Sequence, residues 1–249
     1  MKVKRYENLI WPEVEEELQN NMLIIPVGSI EQHGPHLPLG VDGFLADKIS
    51  EELARETGAI IAPKITYGGR SLPNSGGGLS YPGTVYINGD VLMAYYFEIL
   101  HTYIAAGAKK ILILNGHWEN EAFLFESVEK CRQYGDLKEV KIIVTSWWSV
   151  VSETEMIDIF SCFSGWHVEH AGQAETALMS YYMPGNVKLK NAVDCQDIIP
   201  SGIYKYPTPR KWSGNMGVLS KTLHVNSEMG KRLAQVIKKN LLILIEDDW

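Results

Sequence analysis

The sequence predicts an α/β fold: one domain over residues 1–249, with a mostly parallel sheet flanked by helices. Three observations lead there. Short aliphatic or β-branched runs alternate with amphipathic stretches, the pattern of strand–helix–strand units. The 249 residues, 45% of them hydrophobic, suffice for one substantial core. No internal repeat, low-complexity tract or long linker divides the chain.

The strand candidates are residues 23–27 (LIIPV), 59–62 (AIIA), 110–114 (KILIL) and 140–145 (VKIIVT). The first helix begins near Asp42, carries Leu45, Ile49 and Leu53 at four-residue spacing, and stops at Gly58, a residue suited to a left-handed cap. Further helices are expected over residues 90–106, 121–132, 173–182 and 227–242. The Gly/Pro-rich stretches 67–83 and 200–217 read as loops.

Composition narrows the function. With 23 basic and 30 acidic residues the net charge is −7, which argues against nucleic acid or an anionic membrane as partner and leaves small neutral or cationic substrates. The start MKVKRYENLIWPE has no long apolar segment and the run 22–27 is too short to span a bilayer, so a cytoplasmic protein is expected. Cys131, Cys162 and Cys195 are widely spaced without a CxxC pattern and read as reduced thiols.

Chemistry concentrates in two blocks. EQHGPHLPLGVD, residues 31–42, holds Glu31, His33, His36 and Asp42, and NGHWEN, residues 115–120, holds His117 and Glu119. Each follows a strand candidate, and ligands of open α/β sheets bind beyond the carboxyl ends of the strands. Taken singly, each residue has an ordinary reading: Asp42 as a helix N-cap, His117 as a turn residue, Glu119 as an acid favoured at a helix start. Together Glu31, His33, Asp42, His117 and Glu119 supply enough oxygen and imidazole donors for two divalent metals, with no thiolate to close the site. His36 reads as a residue behind the ligands. Glu175 reads equally as an anchor of that shell or as a polar helix residue, and His167 as a surface residue.

PVGSIEQHGPHLPLGVD, followed by NSGGG, YPGT, NGHWEN and GWHVEHAGQAET, resembles the creatininase (creatinine amidohydrolase) family from about residue 23 to residue 221. Trp118 with Glu119, Trp148 in TSWWSV, and the GW-x-x-EH segment at 165–170 bring the chain nearer to creatininase itself than to relatives reading NGHGGN. The resemblance implies a creatininase-like fold and a reversible opening of creatinine to creatine at two Zn or Mn ions. One ion would be held by Glu31, Asp42 and His117, the other by His33, Asp42 and Glu119. It also implies His170, Glu119 and Glu169 as catalytic residues, His170 as proton shuttle and Glu169 as a partner that orients its neighbourhood or contacts a cationic guanidine-like group, and Trp148, Trp166, Trp118, Ser75, Gly76 and Gly77 as substrate contacts. The glycines read equally as makers of a tight loop. Family members form homohexamers, so a homo-oligomer is expected.

A rival within the family is a formamide or peptide-type amidohydrolase of cofactor biosynthesis. A phosphorylated substrate would need cations, and Arg70, Lys205, Arg210 and Lys211 are the candidates. A rival of another class is a non-catalytic metal-stabilised binding protein, which would need a coordination shell filled by protein.

Overall fold

The computed structural model describes residues 2–135, 137 and 139–248. Five parallel strands, β1 (Lys4–Arg5), β2 (Leu23–Val27), β3 (Ile60–Ile61), β4 (Lys110–Asn115) and β5 (Lys141–Ser146), form one sheet in the order β1-β3-β2-β4-β5. Its helices are α1 (Trp11–Asn20), α2 (Val41–Thr57), α3 (Gly89–Ala105), α4 (Glu121–Tyr134), α5 (Glu153–Phe160), α6 (Gln173–Tyr182) and α7 (Ser227–Asp248). Among the described residues no helix is long and apolar enough to cross a membrane.

Side chains alternate across a strand, so β2 and β4 feed two cores. Ile24, Leu112 and Leu114 pack on one face with Leu45, Ile49 and Leu53 of α2, Leu178 of α6 and Ile237 of α7. Leu23, Ile25, Val27, Ile111 and Ile113 pack on the other with Leu18 of α1, Leu92 and Leu100 of α3 and Leu124 of α4. Register places Val27 of β2 beside Asn115 of β4, so both strands end at one edge.

The strands and helices expected from sequence are present with shifted ends: the second strand is shorter, residues 60–61, and the last helix runs on to Asp248. Gly58 caps α2 at φ 76°, its N–H donating to Ala54 O at 3.0 Å. The expectations did not include β1, α1 or α5. WPEVEEELQN buries only Leu18 fully, too thin an apolar stripe to announce α1; Pro12 in its first turn and the Glu13 carboxylate accepting the Ile10 N–H at 3.0 Å start it instead. In α5 the start is a reciprocal cap: Ser152 Oγ accepts the Glu155 N–H, and Glu155 accepts the Ser152 N–H at 2.8 Å.

Candidate active site

The loops leaving β2 and β4 close on the start of α2. A Cβ on Gly28 would lie 2.3 Å from Gly43 N, and one on Gly116 would lie 2.3 Å from Asp42 O, so only glycine permits this approach. Asp42, in the first turn of α2, is thereby wedged between the two loops. Asn120 ties them, donating to Gly28 O and to Asn115 Oδ1, each at 3.1 Å.

His33 and His117 each spend one ring nitrogen on a carbonyl, and a carbonyl can only accept. His33 Nδ1 donates to Glu31 O at 3.0 Å, and His117 Nε2 donates to Gly69 O at 3.1 Å. The opposite nitrogens face carboxylates. His33 Nε2 is 2.9 Å from Asp42 Oδ1 and 3.6 Å from Glu175 Oε1. His117 Nδ1 is 3.1 Å from both Glu31 Oε2 and Asp42 Oδ2. Despite these distances, buried His33 Nε2 and Asp42 Oδ2 make no hydrogen bond of acceptable geometry. An imidazole oriented through its second nitrogen, with the first turned to a carboxylate-lined point, is the geometry of a metal ligand. Three groups of donor atoms, each within 4.8 Å of one another, gather here: Glu31, Asp42 and His117; His33, Asp42 and Glu175; and Glu31, His33 and His170, the first two sharing Asp42. The residues fit two divalent ions sharing Asp42.

The donor atoms that lie together differ from the grouping expected from sequence. Glu175, not Glu119, stands with His33 and Asp42. Glu119 lies on the far side of His117, with Oε2 3.3 Å from its Nε2 and Oε1 accepting the Leu72 N–H at 3.0 Å. Glu175 reaches the site because its Oε2 accepts the Ala171 N–H at 2.6 Å, leaving Oε1 toward His33.

The electrostatics match the geometry. Burial opposes charge on His33 and His117, but Asp42 and Glu175 around the first, and Glu31 and Glu119 around the second, hold both imidazoles well above their ordinary pKa. A field that strong toward a proton is also the field that binds a dication. Burial pushes the Glu119 carboxyl up to about 7. Glu169 is pushed up to about 8, first by burial and then by neighbouring Glu175. His170 is held below its ordinary value by burial.

A cavity opens on these residues, walled by Trp118, Trp148 and Trp166 with Ser75, His167 and His170. The indoles of Trp118 and Trp148 stack at 5.9 Å and 18°, and Trp147 meets Trp166 edge-on at 5.7 Å. Gly76 and Gly77 were expected as substrate contacts, and Gly76 abuts His170 and Glu31 of the cavity lining. A Cβ on Gly76 would lie 2.6 Å from His170 Nε2 and one on Gly77 2.6 Å from the Tyr81 ring, so both are tight-loop residues. Glu169 lines the cavity with both oxygens engaged: Oε1 accepts the Ala174 N–H at 2.5 Å, and Oε2 accepts from Ser220 Oγ at 3.1 Å. It holds the start of α6. His36 is buried behind His33, with Nε2 2.9 Å from Thr176 Oγ1, and burial lowers it to about 4. His167, read from sequence as a surface residue, is at the cavity wall.

No Lys or Arg lines this cavity among the described residues. Arg70 instead lies over the Tyr86 ring at 4.5 Å and donates to Asn88, and Lys205, Arg210 and Lys211 are exposed.

Known proteins resemble this arrangement over nearly its whole extent. The family profile of creatininase, creatinine amidohydrolase, matches residues 7–245. Creatinine amidohydrolase of Pseudomonas putida is 29% identical over 255 residues, covering 97% of this chain and 95% of that protein. A mycofactocin precursor peptide peptidase of Mycolicibacterium smegmatis is 29% identical over 205 residues, covering 80% and 71%. A manganese form of creatininase and a Zn-Zn type of a creatininase mutant each superpose with a TM-score of 0.92 at 28% identity, covering 99% of this chain and 98% of theirs. With a parallel sheet whose edge gathers these carboxylates and imidazoles, and a match spanning residues 7–245, the chain belongs to the creatininase family of amidohydrolases.

Proposed function

We propose that this chain is a binuclear metal-dependent amidohydrolase that opens the cyclic amide of creatinine to give creatine, reversibly. The observation that carries the reading is the convergence of His33 Nε2 and His117 Nδ1 on the two oxygens of Asp42, at 2.9 and 3.1 Å. Glu31, Asp42 and His117 would hold one ion and His33, Asp42 and Glu175 the other, with zinc or manganese suited to such donors. When bound, the pair supplies Lewis acidity toward a carbonyl oxygen and an ionised water near neutral pH.

The chain's own residues do the rest. His170 Nδ1, 3.9 Å from Glu31 Oε2, accepts the proton of the attacking water. As the carbonyl carbon–ring nitrogen bond breaks, the same atom returns that proton to the leaving nitrogen. Because burial keeps this imidazole neutral, it begins the cycle as a base. The walls of Trp148, Trp118 and Trp166 receive a flat ring and exclude water. The acidic lining, free of Lys and Arg among the described residues, suits a neutral or cationic substrate such as a guanidine-like ring. Glu169 supports His170 by fixing α6. The reading carries a small-molecule substrate, a cytoplasmic setting and a homohexamer, with no nucleic-acid or membrane partner.

Creatine formation by the purified, zinc- or manganese-loaded protein tests it. Turnover that disappears on chelation and returns with metal supports the proposal; two bound ions without turnover remove creatinine as the substrate. One observation favours a second reading, a longer amide of peptide type. A further cavity, sharing Ser75, Trp118, Glu119 and His167 with the first, continues along residues 199–204. Cleavage of short peptides in place of creatinine would select it.

A further inference from the structure

His170 is held by a neighbour whose protons can be counted. The Gln32 side chain is buried, and three backbone groups fix which end of its amide is which. Oε1 accepts the Gly34 N–H at 2.9 Å, while Nε2 donates to Gly217 O at 3.0 Å and to Gly76 O. Turning the amide over would set an oxygen against two carbonyls and an NH₂ against an N–H. Both amide protons are therefore spent. The same amide nitrogen lies 3.0 Å from His170 Nε2 and has no third proton to offer. The Gln32 main-chain carbonyl, 2.9 Å from Nε2, can only accept. The proton of a neutral His170 must then sit on Nε2.

We propose that Gln32 is the positioning residue for His170: its amide clamps the loops around the ring, and only so clamped does its main-chain carbonyl stay against Nε2–H, leaving the Nδ1 lone pair facing the metal ligands. The clamp explains two glycines. A Cβ on Gly217 (φ +81°) would lie 2.1 Å from Gln32 Oε1, and one on Gly76 (φ +119°) would lie 2.6 Å from His170 Nε2. The main chain of His170 is pinned as well, its carbonyl accepting the Leu219 N–H at 3.1 Å. Directing a histidine through the nitrogen that does no chemistry is the role an orienting partner plays in hydrolytic triads, where the wrong tautomer is catalytically costly.

The inference takes its catalytic meaning from the amidohydrolase reading, but its test does not depend on a substrate. Zinc-loaded protein labelled with ¹⁵N-histidine, with His170 assigned by the signals lost in His170→Gln, reports the tautomer directly. Protonated Nε2 with bare Nδ1 is expected; protonated Nδ1 overturns the proposal. Gln32→Met keeps the side-chain bulk and removes the amide. Once two bound ions show that this variant is folded, the His170 signals should become those of a tautomer mixture. With whichever amide the enzyme cleaves, kcat should fall on the order of 10- to 100-fold while KM stays within about threefold. A pure Nε2–H signal and unchanged kcat in that variant overturn the clamp. Wild-type Nε2–H without creatinine turnover supports the tautomer assignment and removes only the substrate; turnover with Nδ1–H does the reverse.

Discussion

The candidate site has two walls of different construction. One is built on the sheet: Glu31, His33 and Asp42 follow β2, and His117 and Glu119 follow β4, with two glycine contacts locking both loops to α2. The other, carrying Trp166, Glu169, His170 and Glu175, has no strand beneath it. It stands on unusual backbone, Gly165 at φ 103° and Ala171 at φ 50°, and on side chains that cap α6. Metal affinity needs donors fixed against one another, which a sheet edge provides. Proton transfer and substrate fit need donors placed against something that comes and goes, and a braced loop serves that. The difference teaches that most ion-binding carboxylates and imidazoles of one site can owe their positions to a sheet edge, while the acid–base group and one further carboxylate, Glu175, owe theirs to a braced loop.

The sharpest way to break this contrast is at Asp42, which serves both ligand groups. Asp42→Asn should empty the site of both ions, read as fewer than one metal per chain, and lower kcat/KM by several kcal/mol, about 10³-fold or more. Far-UV circular dichroism should stay native, since α2 is held by Leu45, Ile49 and Leu53 in the core. A variant that keeps two ions and near-normal turnover would sink the shared-carboxylate arrangement.

Next in size is the pair Glu175→Gln and Glu119→Gln. The late wall contributes one donor to the His33 side, so Glu175→Gln should lose about one ion per chain, with activity down on the order of 100-fold. Glu119→Gln leaves His33, Asp42 and Glu175 intact, so its effect should fall on the ion held with His117. Anomalous scattering from the bound metals distinguishes the two. Loss of the same ion in both variants would return Glu119 to the His33 group and undo the regrouping.

The two walls also differ in how far they could be read from residues alone. Glu31, His33 and His117 were legible because each lies within a few positions of an apolar strand, Asp42 because it closes the same loop, and strand ends of a parallel sheet converge. Asp42 was marked further by the helix it opens. Glu175 left no such signal: it is the third residue of α6, where a carboxylate is favoured by the helix terminus in any case. Its reach to His33 depends on an Ala171 N–H held at positive φ, which no local pattern announces. His167 and the route of Gln32 to residues 76 and 217 were hidden for the same reason. They are contacts across 44 to 185 positions, made by loops that the sequence marks only as rich in Gly and Pro. Most strands and long helices followed from periodicity, whereas α1 and α5 are short runs that begin with capping chemistry.

The smallest effect on turnover is expected at Glu169, and it separates bracing from catalysis. Both its oxygens hold the start of α6 and Ser220, so Glu169→Gln, which retains an acceptor for the Ala174 N–H, should change kcat by less than about threefold at pH 7. Stability should respond more. Burial and Glu175 raise the folded-state pKa of Glu169 to about 8, above the ordinary value of 4.5. The neutral acid is the form that the fold favours, so its contribution is complete below pH 4.5 and is lost as pH rises toward 8. Replacing it by an amide removes that loss. Urea unfolding of the two proteins should therefore show the variant gaining on the wild type from pH 5 to pH 9, by on the order of 2–4 kcal/mol. Parallel curves would mean that Glu169 is ionised in the folded protein. A collapse of kcat at constant stability would place Glu169 among the reacting groups and make the second wall more than a brace.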